Sequence, residues 1–193
     1  MTEGNLFPEE PKHDPGGKVR IQLPNGMIGQ AAFSDCQRYR YWLSRSWGGG
    51  VGYGPGVLWI GMNPSTADAD VDDPTVRREI GFTQRWGFHA YIKCNVMDYR
   101  ATSPKRLLEK GVLPSSPQNI PTIMRLAERA DRIIVCYGVL PPTLQPYADD
   151  VVALLDGAGH EMWCLGFSRD GRFPKHPLYL KSDTPLIPFR RPA

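Results

Sequence analysis

No apolar run in this chain approaches the length needed to cross a bilayer, and its start, Met-Thr-Glu-Gly-Asn, lacks the basic and then apolar character of a secretion signal. A cytoplasmic protein with no membrane partner is the expectation. Cysteine is scarce: Cys36, Cys94, Cys136 and Cys164 stand far apart with no C-x-x-C pair, so neither a cysteine-held zinc nor an iron–sulfur cluster has support. Three of the four lie in apolar, strand-like runs and read as buried thiols of a reducing compartment. A net charge of +3 is too small to indicate nucleic-acid binding by itself, although it permits a local basic surface. Repeats and low-complexity tracts are missing too. At 193 residues the expectation is an arm over residues 1–17, rich in Pro and Gly, followed by a single domain over residues 18–193.

What is present centres on Val57-Leu-Trp-Ile-Gly-Met-Asn-Pro-Ser-Thr-Ala-Asp68. Four apolar residues that stop at Gly61 suit a strand buried on both faces, with Asn63 and Ser65 at its carboxyl end. Asp72-Asp73-Pro74 then supplies a capping Asp and a Pro in the first helical turn, opening a helix through Val76 and Ile80 to about Trp86. The glycine-rich run at 48–56 precedes the strand, and no helix follows it directly, so it is not a phosphate loop. Further strands are expected at Ala90–Met97, Arg132–Gly138 and Glu161–Phe167. Helices are expected after Ser103, from Asn119 and over Tyr147–Asp156. Lys18–Leu23 reads as an exposed strand entering a turn. Phe33–Trp47, where Arg and aromatic side chains interleave, reads as a strand able to stack bases and hold phosphates, or more simply as an edge strand burying one aromatic face. Apolar strands alternating with helices indicate an α/β domain, three-layer α/β/α with a mainly parallel central sheet and an N-terminal strand pair.

A parallel sheet would gather its strand ends along one edge: Asn63 and Ser65, Asn95 or Asp98, Tyr137 and Gly138, and the basic loop Ser168–Leu180 with Arg169, Arg172, Lys175 and His176. Flanked by Lys175 and Pro177, His176 is the most suggestive histidine of the chain, although a structural role fits it equally well.

Gly61-Met62-Asn63-Pro64 resembles the first motif of the uracil-DNA glycosylase superfamily, and His176-Pro177 resembles its second. Tyr91–Arg100 is similar to the intervening strand of several branches, which ends around an Asn. A broader similarity, covering nearly everything beyond the arm, is to domain of unknown function 1643 proteins of bacteria and phages: Asn63-Pro-Ser-Thr-Ala-Asp68, Asp72-Asp-Pro-Thr75, Arg100-Ala-Thr102 and His176-Pro-Leu-Tyr179. The resemblance implies a hydrolase that recognises a nucleobase in DNA or a nucleotide and possesses no cofactor or metal. Asn63 would orient water, Asn95 would read the base edge, and His176 would donate to the departing base. Gly61, Met62, Ser65 and Tyr137 would line the site, and Trp86 or Phe88 would stack. Arg169, Arg172 and Lys175 would hold phosphates, with Leu178 or Tyr179 as a wedge.

One stretch departs from that pattern. Ser65–Asp73 is strongly acidic, which opposes phosphate binding. Asp68, Asp70, Asp72 and Glu79 approach the spacing of a calcium loop, but Asp73 stands where such a loop needs Gly. Solvated carboxylates or a helix-start Asp explain them more simply. Two alternatives therefore stay open: a non-catalytic nucleotide- or nucleic-acid-binding module, and a metal-assisted enzyme acting on a phosphorylated small molecule through this Asp cluster.

Overall fold

A computed structural model describes residues 13–48 and 56–190. Residues 1–12 of the expected arm and most of the glycine-rich run lie outside them. In chain order the elements are β1 (Ile21–Gln22), β2 (Ile28–Phe33), β3 (Arg40–Ser46), β4 (Val57–Gly61), β5 (Val71–Asp72), α1 (Pro74–Arg85), β6 (Ala90–Asn95), α2 (Asn119–Ala127), β7 (Arg132–Val135), α3 (Gln145–Gly157), β8 (Met162–Cys164) and β9 (Ile187–Pro188), with short 3₁₀ turns at Pro104–Leu108 and Pro177–Tyr179.

Seven strands form one sheet in the order β2-β3-β6-β4-β7-β8-β9, and β1 pairs with β5 apart from it. The fold is α/β, as expected, but the sheet is mixed rather than mainly parallel. The pairings β6-β4, β4-β7 and β7-β8 are parallel, whereas β2-β3, β3-β6 and β8-β9 are antiparallel. Two strands account for the difference. Ile28-Gly-Gln-Ala-Ala-Phe33 has neither an apolar run nor an apolar–polar alternation, yet it pairs along β3; that places β3 inside the sheet and not at its edge. Likewise, the two residues of β9 are too short to leave a periodic signal.

The four parallel strands carry side chains alternately to the two faces. Val57, Trp59, Ile134 and Cys136 meet Val76, Ile80 and Phe82 of α1. On the other face Leu58, Ile60, Ile133 and Val135 meet Ile123 and Leu126 of α2 and Ala148, Val151 and Leu155 of α3. From β4 the chain steps first to β6 and then back across to β7 and β8, so right-handed crossovers put α1 opposite α2 and α3. Asp73 caps α1 as its sequence indicates, its carboxylate accepting from the Val76 N–H at 2.9 Å. The 3₁₀ turn after Ser103 differs: the Ser103 side chain makes no capping hydrogen bond.

Arg40 and Arg45 overturn the phosphate-holding reading of β3. Both are fully buried, and Arg45 Nε donates to Asp72 Oδ1 at 2.8 Å with neither side chain exposed. The start of the described chain is anchored as well: Thr102 N–H donates to Pro15 O at 2.8 Å, and Arg106 donates to Asp14 O at 3.0 Å. Among the described residues no helix is long and apolar enough to cross a membrane.

Candidate functional site

The direction in which successive strands are added reverses between the parallel neighbours β4 and β7, and the crevice outside the carboxyl ends of such strands is where open α/β sheets bind ligands. Two glycines form its floor here. Gly61 ends β4 beside Asn95, its register partner at the end of β6; a Cβ on Gly61 would stand 2.9 Å from Asn95 Oδ1 and 3.4 Å from Lys93 Nζ. Beyond β7, Gly138 adopts φ of 72°, a conformation that favours glycine, and a Cβ there would lie 3.3 Å from the His176 Cβ. The region over these glycines, called the slot below, has Lys93 and Asn95 beside Gly61 and His176 beside Gly138.

His176 reaches the slot because its loop folds back over the strand ends. Ser168 N–H donates to Phe173 O at 2.7 Å, Lys175 N–H to Gly166 O at 2.8 Å and Gly138 N–H to Pro174 O at 3.1 Å. The His176 ring is held down to about 4, by burial first and then by the nearby Lys93 charge, against the pull of Asp73. It is neutral at pH 7. Its Nδ1 accepts from the Leu178 N–H at 3.3 Å, which assigns the ring proton to Nε2 and makes that nitrogen a donor.

Asn95 is 1% exposed, and neither atom of its amide has a hydrogen-bond partner among the described residues. Such a group is costly to leave unpaired, so it is the strongest local indication of a ligand. Asn119, at the start of α2, fixes the strand end that carries it: Asn119 Nδ2 donates to the Asn95 and Val96 carbonyls at 3.1 Å each. Asn63 is oriented by its own neighbours, with Nδ2 donating to Ala101 O at 2.6 Å and Pro64 O at 3.0 Å, which leaves Oδ1 as the acceptor available to a water.

Gly61 and Asn95 lie side by side and His176 packs against Gly138, whereas the Asn63 amide is held by the Ala101 and Pro64 carbonyls. The remaining candidates lie elsewhere. Met62 is half-buried against the α2/α3 core, and Ser65 Oγ lies 3.2 Å from Thr102 Oγ1. Tyr137 is buried on the α2/α3 side, the face opposite the slot. Trp86 closes the far end of α1, about 18 Å along the helix from the Asp73 cap, and stacks on Trp59 with ring centroids 5.6 Å apart; Phe88 packs in the same cluster. Both are core residues. Arg169, Arg172 and Lys175 are exposed, Leu178 is half-buried and Tyr179 is 87% exposed, so the basic loop and its aromatic flank stand outward beside the slot.

The acidic stretch does not converge. Asp68 Oδ1 accepts from the N–H groups of Asp70 and Val71, Asp72 lies between Arg45 and Arg77, and Asp73 caps α1. No three His, Cys, Asp or Glu side chains gather in metal-binding geometry among the described residues. A cavity of about 560 Å³ opens elsewhere, between α2 and the β2–β3 end of the sheet, with Trp42, Leu58, Ile92 and Leu126 among its walls and none of the candidate residues.

Lys93 and Glu79 were not singled out from the sequence for this site. Each interrupts an apolar pattern: Lys93 lies within Ala90–Met97, and Glu79 follows Val76 by three residues and precedes Thr83 by four on the buried stripe of α1. A charge on a buried stripe was the available signal.

A family model described as "Protein of unknown function (DUF1643)" matches residues 40–178, which include every slot residue. No curated protein and no solved structure matches the chain.

Proposed function

We propose that this chain, which belongs to the DUF1643 family, is a nucleobase-recognising protein with a uracil-DNA-glycosylase-like α/β/α architecture that opens an N-glycosidic bond in DNA or a nucleotide. The observation that carries the reading is the buried, unpartnered amide of Asn95 over Gly61, since an amide that both donates and accepts matches the edge of a base. A neutral His176 with its proton on Nε2 can donate to an oxygen of the departing base, and Asn63 Oδ1 can orient the attacking water. Water adds to the sugar carbon as its bond to the base nitrogen breaks; the base leaves with the electron pair and the water's proton goes to solvent or base. Arg169, Arg172 and Lys175 would hold the phosphates of a DNA substrate, and Tyr179, the most exposed aromatic among the described residues, is the better-placed wedge.

The test is base release from oligonucleotides and nucleosides bearing normal, deaminated and alkylated bases. Release lost in Asn63→Ala and His176→Ala, with binding lost in Asn95→Ala, is the expected result. Binding of bases without release by the wild type would leave the non-catalytic module as the correct reading, and release that survives both catalytic substitutions would end the assignment.

A further inference from the structure

Lys93 is a lysine on a strand whose other residues on the same face are Tyr91, buried in the α1-side core, and Asn95, and it is 4% exposed. Burying an ammonium there is unfavourable unless its charge and donors are used. Only one use is present among the described residues: Nζ donates to Glu79 Oε1, and the remaining two N–H donors have no partner. The ammonium lies on the α1 side of the sheet, beside the fully buried Glu79. It stands 3.4 Å from the Cβ position that Gly61 leaves empty, on the same face of β6 as Asn95, and it is close enough to His176 to oppose protonation of that ring.

Glu79, fully buried on α1, holds Lys93 in place. Its Oε2 has no hydrogen-bond partner among the described residues, and burial raises the carboxyl's pKa against the pull of Lys93. Asp73, the other carboxylate nearby, is committed to the cap of α1. Cys136 Sγ, 3.9 Å from Glu79 Oε1, adds only a weak donor. A pair that served packing alone would be satisfied on both sides, and apolar residues of similar volume would do as well.

We infer that Lys93 is a ligand-contacting residue of the slot, positioned by Glu79, and that it selects a ligand presenting a negatively charged edge beside Asn95. The inference rests on the proposed function in one respect, the identity of the ligand as a base; under it, Lys93 favours the ionised form of a nucleobase over the neutral one. His176 donates but carries no charge at pH 7, so the slot's charge preference falls to Lys93.

The test uses a nitro-substituted uracil, whose neutral and anionic forms differ in ultraviolet absorption, with sulfate and thiocyanate as simple anions. Lys93→Met isolates the charge, and the double variant Lys93→Met with Glu79→Gln removes the pair together so that no carboxylate is left buried alone. The wild type is expected to bind the anionic form preferentially and to lower the probe's ionisation pH. The folded double variant, checked by its circular dichroism and melting curve, is expected to lose affinity for the anion by about tenfold or more, with the ionisation shift gone. If the wild type binds no uracil but binds the simple anions in a Lys93-dependent way, the base reading fails and the anion site stands. Equal affinity of wild type and double variant for the anion, or no binding of any probe by the wild type, overturns the inference.

Discussion

Asn95 Oδ1 lies 2.9 Å from the point where a Cβ on Gly61 would stand, so the backbone of one strand is bare where the last side chain of its neighbour turns over it. That proximity makes Gly61→Ala a test of the slot itself. The added methyl must displace the Asn95 amide, with a cost from overpacking of about 1–3 kcal/mol. Loss of nucleobase binding in a protein that still melts cooperatively is the expected outcome; unchanged affinity would move the site away from these strand ends.

The His176 ring gives stability a defined pH dependence. Its folded value of about 4 lies below the ordinary 6.5, so between these limits the unfolded chain takes up a proton that the folded chain refuses. The contribution is complete above about pH 6.5 and is lost as pH falls toward 4. Glu79, Asp72 and Asp98, whose carboxyls burial holds above their usual range, act in the opposite sense, so the informative quantity is the difference from His176→Asn. In denaturant titrations at pH 7 and pH 5 the wild type should lose more stability on acidification than the variant. Parallel losses would place the ring in an ordinary solvent environment.

Asp72→Asn should be the most destabilising of the acidic-loop substitutions. It leaves the fully buried Arg45 guanidinium without its carboxylate, for which the expected loss is about 3–5 kcal/mol by chemical denaturation. Asp70→Asn, at an exposed side chain, should fall within about 0.5 kcal/mol of the wild type. Comparable effects of the two would contradict a structural role for this stretch.

Trp86→Ala separates packing from recognition. Removing the ring that stacks on Trp59 and Phe82 should cost about 3 kcal/mol while leaving nucleobase affinity at 20 °C or below unchanged, provided the protein is folded at the temperature used. A selective loss of affinity without a change in the melting curve would restore Trp86 to the site.

Oligonucleotide binding, if the basic loop holds phosphates, should weaken with salt. The triple substitution of Arg169, Arg172 and Lys175 by Ala should then flatten the logarithmic salt slope by about 0.7–0.9 per lost contact. A slope near zero in the wild type would point to a free base or nucleoside as the ligand.

The chain order of β4, α1, β6, α2, β7, α3 and β8 was legible because each element carries its own local apolar pattern, reinforced at α1 by a capping Asp followed by Pro. Gly61 and Asn95 drew notice as residues at the ends of such runs, and His176 for its place between Lys175 and Pro177 in the loop after the last of them. Arg45 shows where local reading stops. On a strand rich in aromatic and polar residues an arginine reads as outward-facing, and its burial is explained by contacts distant in sequence, with the Asp72 carboxylate and the Asp68 and Val71 carbonyls.

Periodicity and punctuation in the chain therefore settle which segments become strands and helices, because those preferences act over a few residues. Strand neighbours, by contrast, are chosen by burial and hydrogen bonding across the whole domain. No local pattern could pair the weak Ile28–Phe33 segment with β3, turn Tyr137 away from the edge it follows, or bring Lys93 of β6 and Glu79 of α1 under one slot. Those placements follow from packing two helical faces on one sheet, where a buried charge must find its partner in space and not in sequence.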